Sequence, residues 1–154
     1  MPKRPRLDDL IASGRLTRHS PSPAETADLL ALAERRLADA FAAGLSPDGR
    51  FAAAYSAAIT LATAIVRAEG YRVAGAADHQ RLTIELLPLL LGEQQRRGAA
   101  YLDACRRKRD VAGHERAVTI TSVEAQALRA AARELREEVL AWLAEEHPEL
   151  LGAS

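Results

Sequence analysis

The run SPDGRFAAAYSAAITLATAIVRAEG, residues 46–70, decides the fold class. Ser46 is a side-chain acceptor ahead of Pro47, a residue suited to the first helical position. Phe51, Tyr55, Ile59, Ala62 and Val66 then recur every three or four residues until Gly70 stops the run. That pattern is one long helix with an apolar face. The stretch 51–66 is also the best membrane-spanning candidate, but a span needs roughly 20 apolar residues and Tyr55, Ser56, Thr60 and Thr63 dilute this one. It reads as the core helix of a domain.

Working outward, Ser22-Pro-Ala-Glu25 has the pattern of a capping box, and Leu29, Leu30, Ala33, Leu37 and Phe41 follow at helical spacing before Gly44. Two antiparallel helices joined by a tight turn are expected. Tyr71 to Ala77 reads as a glycine-containing connection, and Asp78 as the cap of a helix through Arg81, Leu82, Glu85 and Leu86. Pro88 kinks or ends that helix. A further helix is expected from about Leu91 to about Ala112, with Gly113 as its stop. Thr121-Ser-Val-Glu124 is a second capping box, opening a helix with the stripe Leu128, Ala131 or Ala132, Leu135, Val139, Trp142 and Leu143, closed by His147-Pro148. The expectation is an all-α protein: an up-down bundle of four long antiparallel helices over residues 22–150, one of them broken near Pro88. Residues 1–21 form a Pro- and Arg-rich lead with a helical turn near Leu7 to Ala12, either an arm or a strap.

Composition narrows the function classes. The chain has 154 residues, one domain's worth, with 21 basic and 21 acidic side chains and 48% hydrophobic residues. It can bury a core and is no uniformly cationic coat for nucleic acid. Aromatics are 4%, too few for a base-stacking sheet or groove. One Cys and four His exclude a disulfide framework and argue against structural zinc, so no cofactor and no metal are expected. The start has no apolar h-region after its charges, so the cytoplasm is the expected compartment and no membrane is involved.

Charge is uneven. Residues 96–116 hold seven basic and three acidic side chains, a net of +4, and the chain from Thr121 onward holds three arginines against seven glutamates, a net of −4. Neighbouring helices of opposite sign compensate one another on a solvated face; the functional reading is a positive strip that holds phosphate.

The chemistry-bearing segment is Tyr101-Leu-Asp-Ala-Cys-Arg-Arg-Lys-Arg109-Asp110-Val-Ala-Gly-His114-Glu-Arg116. Helical spacing pairs Asp103 with Arg107, Arg106 with Asp110, and Asp110 with His114. A carboxylate neighbour and a helix C-terminus both favour the protonated ring, which suits His114 to acid–base work. A guanidinium holds two phosphate oxygens and neutralises charge growing in a phosphoryl transition state, while imidazole moves a proton. On an ideal helix Arg109 and His114 point about 140° apart, so the Arg stem, unwinding at Gly113 or a second subunit must bring them together. Arg72 and His79 have similar spacing. Cys105 is read as a core residue, Tyr55 and Tyr71 as core or rim residues with a bonded hydroxyl, and Trp142 as a core anchor.

The motif Arg109-Asp110-Val111-Ala112-Gly113-His114 resembles the Arg-polar-x-x-x-His motif of the HEPN domains of prokaryotic defence and toxin–antitoxin systems. The surrounding stretches Phe51-Ala-Ala-Ala-Tyr55, Ala68-Glu-Gly-Tyr-Arg72, Cys105-Arg-Arg-Lys-Arg109 and Trp142-Leu-Ala-Glu-Glu-His-Pro-Glu149 also resemble those of small HEPN proteins. The resemblance covers roughly residues 22–150. It implies a helical bundle acting as a metal-independent endoribonuclease, dimeric, with motifs from two subunits meeting at one site. In that picture Arg109, His114 and Asp110 are catalytic, Arg106, Arg107 and Lys108 guide RNA, and the partners are an RNA substrate, a second copy, and a cognate antitoxin or nucleotidyltransferase-type protein. One departure stands out: family members silenced by a nucleotidyltransferase carry Tyr two residues after the motif His, where this chain has Arg116. Two other classes are carried beside it: a noncatalytic HEPN module that binds nucleotide, RNA or a protein, and a helical antitoxin or scaffold using its apolar faces and arginine-rich lead.

Overall fold

A computed structural model describes residues 3–75, 78–114 and 119–152, with side chains described except at 3–5 and 111–114. In chain order the elements are α1 (Lys3–Ala12), β1 (Leu16–Arg18), α2 (Pro23–Ala40), α3 (Pro47–Ala68), β2 (Tyr71–Val73), α4 (His79–Leu91), α5 (Arg96–His114) and α6 (Ser122–Glu146), with single 3-10 turns at Glu93–Gln95 and Pro148–Leu151. The protein is mostly helical, as the periodicity predicts.

The core is built on α3. Its Phe51, Tyr55, Leu61 and Ile65 are all buried, and α2, α4, α5 and α6 pack around it. Alanines at 54, 57, 58, 62 and 64 are buried too, and their small size lets neighbouring helices approach closely. The helix has the length and composition of a membrane span, but 67% of its most apolar window lies inside the fold, the mark of a core helix.

The caps form largely as read. Ser46 Oγ accepts from the Gly49 N–H at 3.1 Å, and the Thr121–Glu124 box closes in both directions. The Ser22 box closes by half: Ser22 Oγ accepts from the Glu25 N–H at 3.1 Å, but the Glu25 carboxylate turns away to accept from His19 Nε2 at 2.7 Å and Arg67 Nη1 at 2.9 Å. Asp78 is no side-chain cap; it sits in the left-handed region at φ 59 and makes no capping hydrogen bond.

Helix directions differ from simple alternation. Arg67 meets Glu25 and Arg36 Nη1 donates to Thr60 Oγ1, so α2 and α3 run antiparallel as expected. Glu69, just past α3, bonds His147, just past α6, so these two helices run parallel. Tyr55 donates to Gln80 near the start of α4, while Glu69 shares a hollow with Leu90 and Leu91 at its end, so α4 also runs with α3. The connection over 71–78 therefore carries the chain back along the molecule.

Part of that return is a strand pairing. Leu16 lies opposite Val73, Thr17 opposite Arg72 and Arg18 opposite Tyr71 in an antiparallel ribbon. Three residues per strand are too few for a period-two pattern to stand out. The ribbon and α1 bring Leu7, Leu10 and Leu16 into the core, so the lead is a strap rather than an arm.

The two runs read here, one from Asp78 that Pro88 kinks or ends and a further one from about Leu91 to about Ala112, are two helices folded into a hairpin rather than one long bundle helix broken near Pro88. α4 continues one turn past Pro88, where the buried Leu87 and Leu90 hold it, and ends at Gly92. Gly92 has φ 128, a backbone conformation that residues with a Cβ rarely adopt, so the reversal needs glycine. α5 then packs back along α4.

Candidate functional site

Four consecutive cations, Arg106 to Arg109, leave α5 at 100° steps, so they cannot share a face. Each meets a different environment. Arg106 Nε donates to Asp103 Oδ1 at 2.9 Å, and its Nη1 lies 3.6 Å from Asp110 Oδ2. Arg107, largely exposed, reaches the other oxygen of Asp103 at 3.1 Å. Lys108 crosses to Glu124 at the start of α6. Its hydrogen bond, joined by the Thr121 N–H, holds the Glu124 carboxyl below its ordinary range.

Arg109 is different. Its guanidinium lies over the Tyr55 ring, 5.3 Å from the centroid, and it has no carboxylate partner among the described residues. Two of the three pairings read from helical spacing are present, Asp103 with Arg107 and Arg106 with Asp110. The third, Asp110 with His114, lies outside the described residues: the backbone of His114 ends α5, but its side chain is not described, and neither is Arg116.

Tyr55 is the hinge of this region. Its ring is 1% exposed on α3 and its hydroxyl donates to Gln80 Oε1 on α4 at 2.8 Å. Burial pushes the phenol well above its ordinary value, although the Arg106 and Arg109 charges pull the other way. Tyr55 is therefore a neutral donor and a platform, not a nucleophile.

Beside it lies an open polar hollow of about 510 Å³, lined by Asp78, His79, Gln80, Arg81, Arg106 and Asp110. Arg81 pairs with Asp78 at 3.5 Å and with Glu85 at 3.8 Å. An anion entering the hollow would compete with these long, exposed pairs, which contribute little in water. Among the described residues no three His, Cys, Asp or Glu side chains are grouped to hold a metal ion. No family model, curated protein or solved structure matches this chain.

Of the residues singled out from the sequence, the fold brings Arg106 and Asp110 into the lining of this hollow and lays Arg109 over the Tyr55 ring. It sends Arg107 outward and Lys108 toward α6. His79 lines the hollow, whereas Arg72 lies on β2 opposite Thr17. The sequence reading gives Tyr55 a bonded hydroxyl, since a buried phenol must find a partner, but does not name that partner. Nothing in the spacing named Gln80, 25 residues away. Cys105 is 5% exposed, and burial pushes its thiol up, as suits a core residue.

Proposed function

We propose that this protein is a HEPN-type, metal-independent endoribonuclease that works in the cytoplasm as a homodimer and forms the toxic half of a toxin–antitoxin or defence system. The observation that supports it is the state of Arg109: of the four consecutive cations it alone has no ion pair among the described residues, and it lies over the ring of Tyr55, whose hydroxyl bonds Gln80 in the lining of the open polar hollow. A guanidinium so held is available to a phosphodiester.

In this reading Arg109 grips the scissile phosphate and neutralises the charge of the pentacovalent state. His114, from the same or a second copy, takes the proton of the 2′-hydroxyl or delivers one to the leaving 5′-oxygen, and Asp110 orients it. The 2′-oxygen bonds to phosphorus as the bond to the 5′-oxygen breaks, leaving a 2′,3′-cyclic phosphate. Arg106, Arg107 and Lys108 exchange their carboxylate pairs for RNA phosphates. The test is incubation of purified protein with total RNA and with single-stranded DNA in EDTA, followed by end-group analysis. RNA-only cleavage with cyclic-phosphate ends, reduced at least about 100-fold in Arg109→Ala and in His114→Ala, is expected. Cleavage that survives both substitutions, or that requires magnesium, overturns the proposal.

One observation favours a second reading, a noncatalytic module that binds RNA or a nucleotide. Among the described residues, no imidazole in this hollow is hydrogen-bonded to a carboxylate, the pairing that orients a general base. Charge reversal at Arg106 and Arg107 would then weaken RNA binding more than His114→Ala does.

A further inference from the structure

The two helices of opposite charge do not compensate one another along their length. Among the described residues α5 and α6 have little direct contact beyond the Lys108–Glu124 bridge, and a groove runs along α6. It comprises a hollow of about 120 Å³ between α6 and the start of α5 and one of about 500 Å³ between α6 and the end of α4 with the Glu93–Gln95 turn, and the two adjoin at Gln95 and Glu138. The groove lies toward the Gly92 reversal, at the opposite end of the α4–α5 hairpin from Arg109. Its occupancy is therefore independent of the function proposed above.

One wall is a single face of α6. Ala131, Glu134, Glu138, Ala141, Trp142 and Glu145 recur at helical spacing and all line it. From Glu134 to Glu145 this face runs three helical turns, about 16 Å. Leu91 and Tyr101, both half-buried, give the opposite wall its apolar surface. No Lys or Arg lines the groove among the described residues, and Glu134, Glu138 and Glu145 have no ion-pair partner there.

The floor has one polar point. Gln95 is 6% exposed and lines both hollows, and its side-chain amide opens into them rather than being sealed in the core. Gly98, beside it, carries no side chain; a Cβ there would lie in ordinary contact, 3.5 Å from Gln95 Oε1.

We infer that this groove receives a basic amphipathic helix of a partner protein. The partner's aliphatic stripe would lie against Leu91, Tyr101 and Trp142, and flanking Arg or Lys would meet Glu134, Glu138 and Glu145. An acidic rim around an apolar floor fits that chemistry, and three turns of wall fit three turns of helix. A polar residue of the incoming helix would meet the Gln95 amide.

Trp142 is the protein's only tryptophan and lines the groove, so its emission reports occupancy directly. The probe is a synthetic helix of about 14 residues with Leu at i, i+3, i+4 and i+7 and Arg on both flanks. The controls are the same composition scrambled and the same stripe flanked by Glu. Binding of the Arg-flanked helix alone, with a blue shift of Trp142 and weakening by salt, is expected. The Glu134→Lys/Glu138→Lys variant should bind at least about tenfold more weakly. Gly98→Leu, which keeps every charge and fills the space over Gln95, should do the same while the circular-dichroism melt stays intact. Equal binding of the scrambled peptide, or unchanged affinity in both variants, overturns the inference. So does a wild-type dimer in sedimentation that becomes monomeric in Glu134→Lys/Glu138→Lys, since a second copy would then occupy the groove.

Discussion

A guanidinium on an aromatic face and a phenol on an amide make Tyr55 serve three helices at once. Tyr55→Phe keeps the platform under Arg109 but leaves Gln80 without its donor; a loss of about 1 kcal/mol in urea unfolding is expected, with RNA cleavage little changed. Tyr55→Ala removes ring and platform together and should cost about 3–5 kcal/mol. At Glu25, burial by itself would raise the carboxyl, but hydrogen bonds from His19 and Arg67 outweigh it and hold the group below its ordinary 4.5. A carboxyl depressed by folding binds fewer protons in the native state, so its contribution is complete above pH 4.5 and lost as pH falls through the lower folded value. Glu25→Gln should therefore lower the melting temperature at pH 7, and the gap from wild type should close on acidification below 4.5. The buried Cys105 thiol should react with a disulfide reagent only after denaturant is added.

Among the elements, the caps and the α4–α5 reversal are the points where one residue decides a boundary. Thr121→Ala removes the hydroxyl that accepts from the Glu124 N–H and donates to its carboxylate, leaving the backbone N–H of residue 121 on Glu124, and should cost about 1–2 kcal/mol. Ser22→Ala loses one bond and should cost about 1 kcal/mol or less, because Glu25 is already committed to His19 and Arg67. Gly92→Ala forces a side chain to φ 128, and thermal melting should show a larger drop than either cap. The capped boundaries at Ser22 and Thr121 were legible because a cap acts within one turn, whereas the reversal at Gly92 was not. The strands at 16–18 and 71–73 were not, because each exists only through the other. Phe41 also read as a stripe residue, yet it is 37% exposed at the end of α2, with the guanidinium groups of Arg129 and Arg133 4.6 and 4.3 Å from its ring centroid. Periodicity finds a helix face but not where its neighbour ends.

For the molecule as a whole, the amino-terminal strap has the largest consequence. Leu7, Leu10 and Leu16 belong to the same core as α3 and α6, so removal of residues 1–18 should destabilise the whole protein. Leu10→Ala alone should cost about 2–5 kcal/mol, measurable by urea unfolding. Any loss of partner capture after that truncation must therefore be compared with Leu10→Ala, which keeps the arginines of the lead. The sequence by itself determined the helical class, the extents of α2, α3 and α6, the burial of α3 and the ladder among Asp103, Arg106, Arg107 and Asp110, because periodicity, caps and i, i+4 neighbours are local. Only the tertiary structure decided that α3, α4 and α6 run the same way, that Gly92 folds α4 and α5 into a hairpin, that Tyr55 lies beneath Arg109, and that an acidic face of α6 lines two adjoining hollows. Those outcomes depend on which distant surfaces bury each other, and no spacing along the chain records that choice.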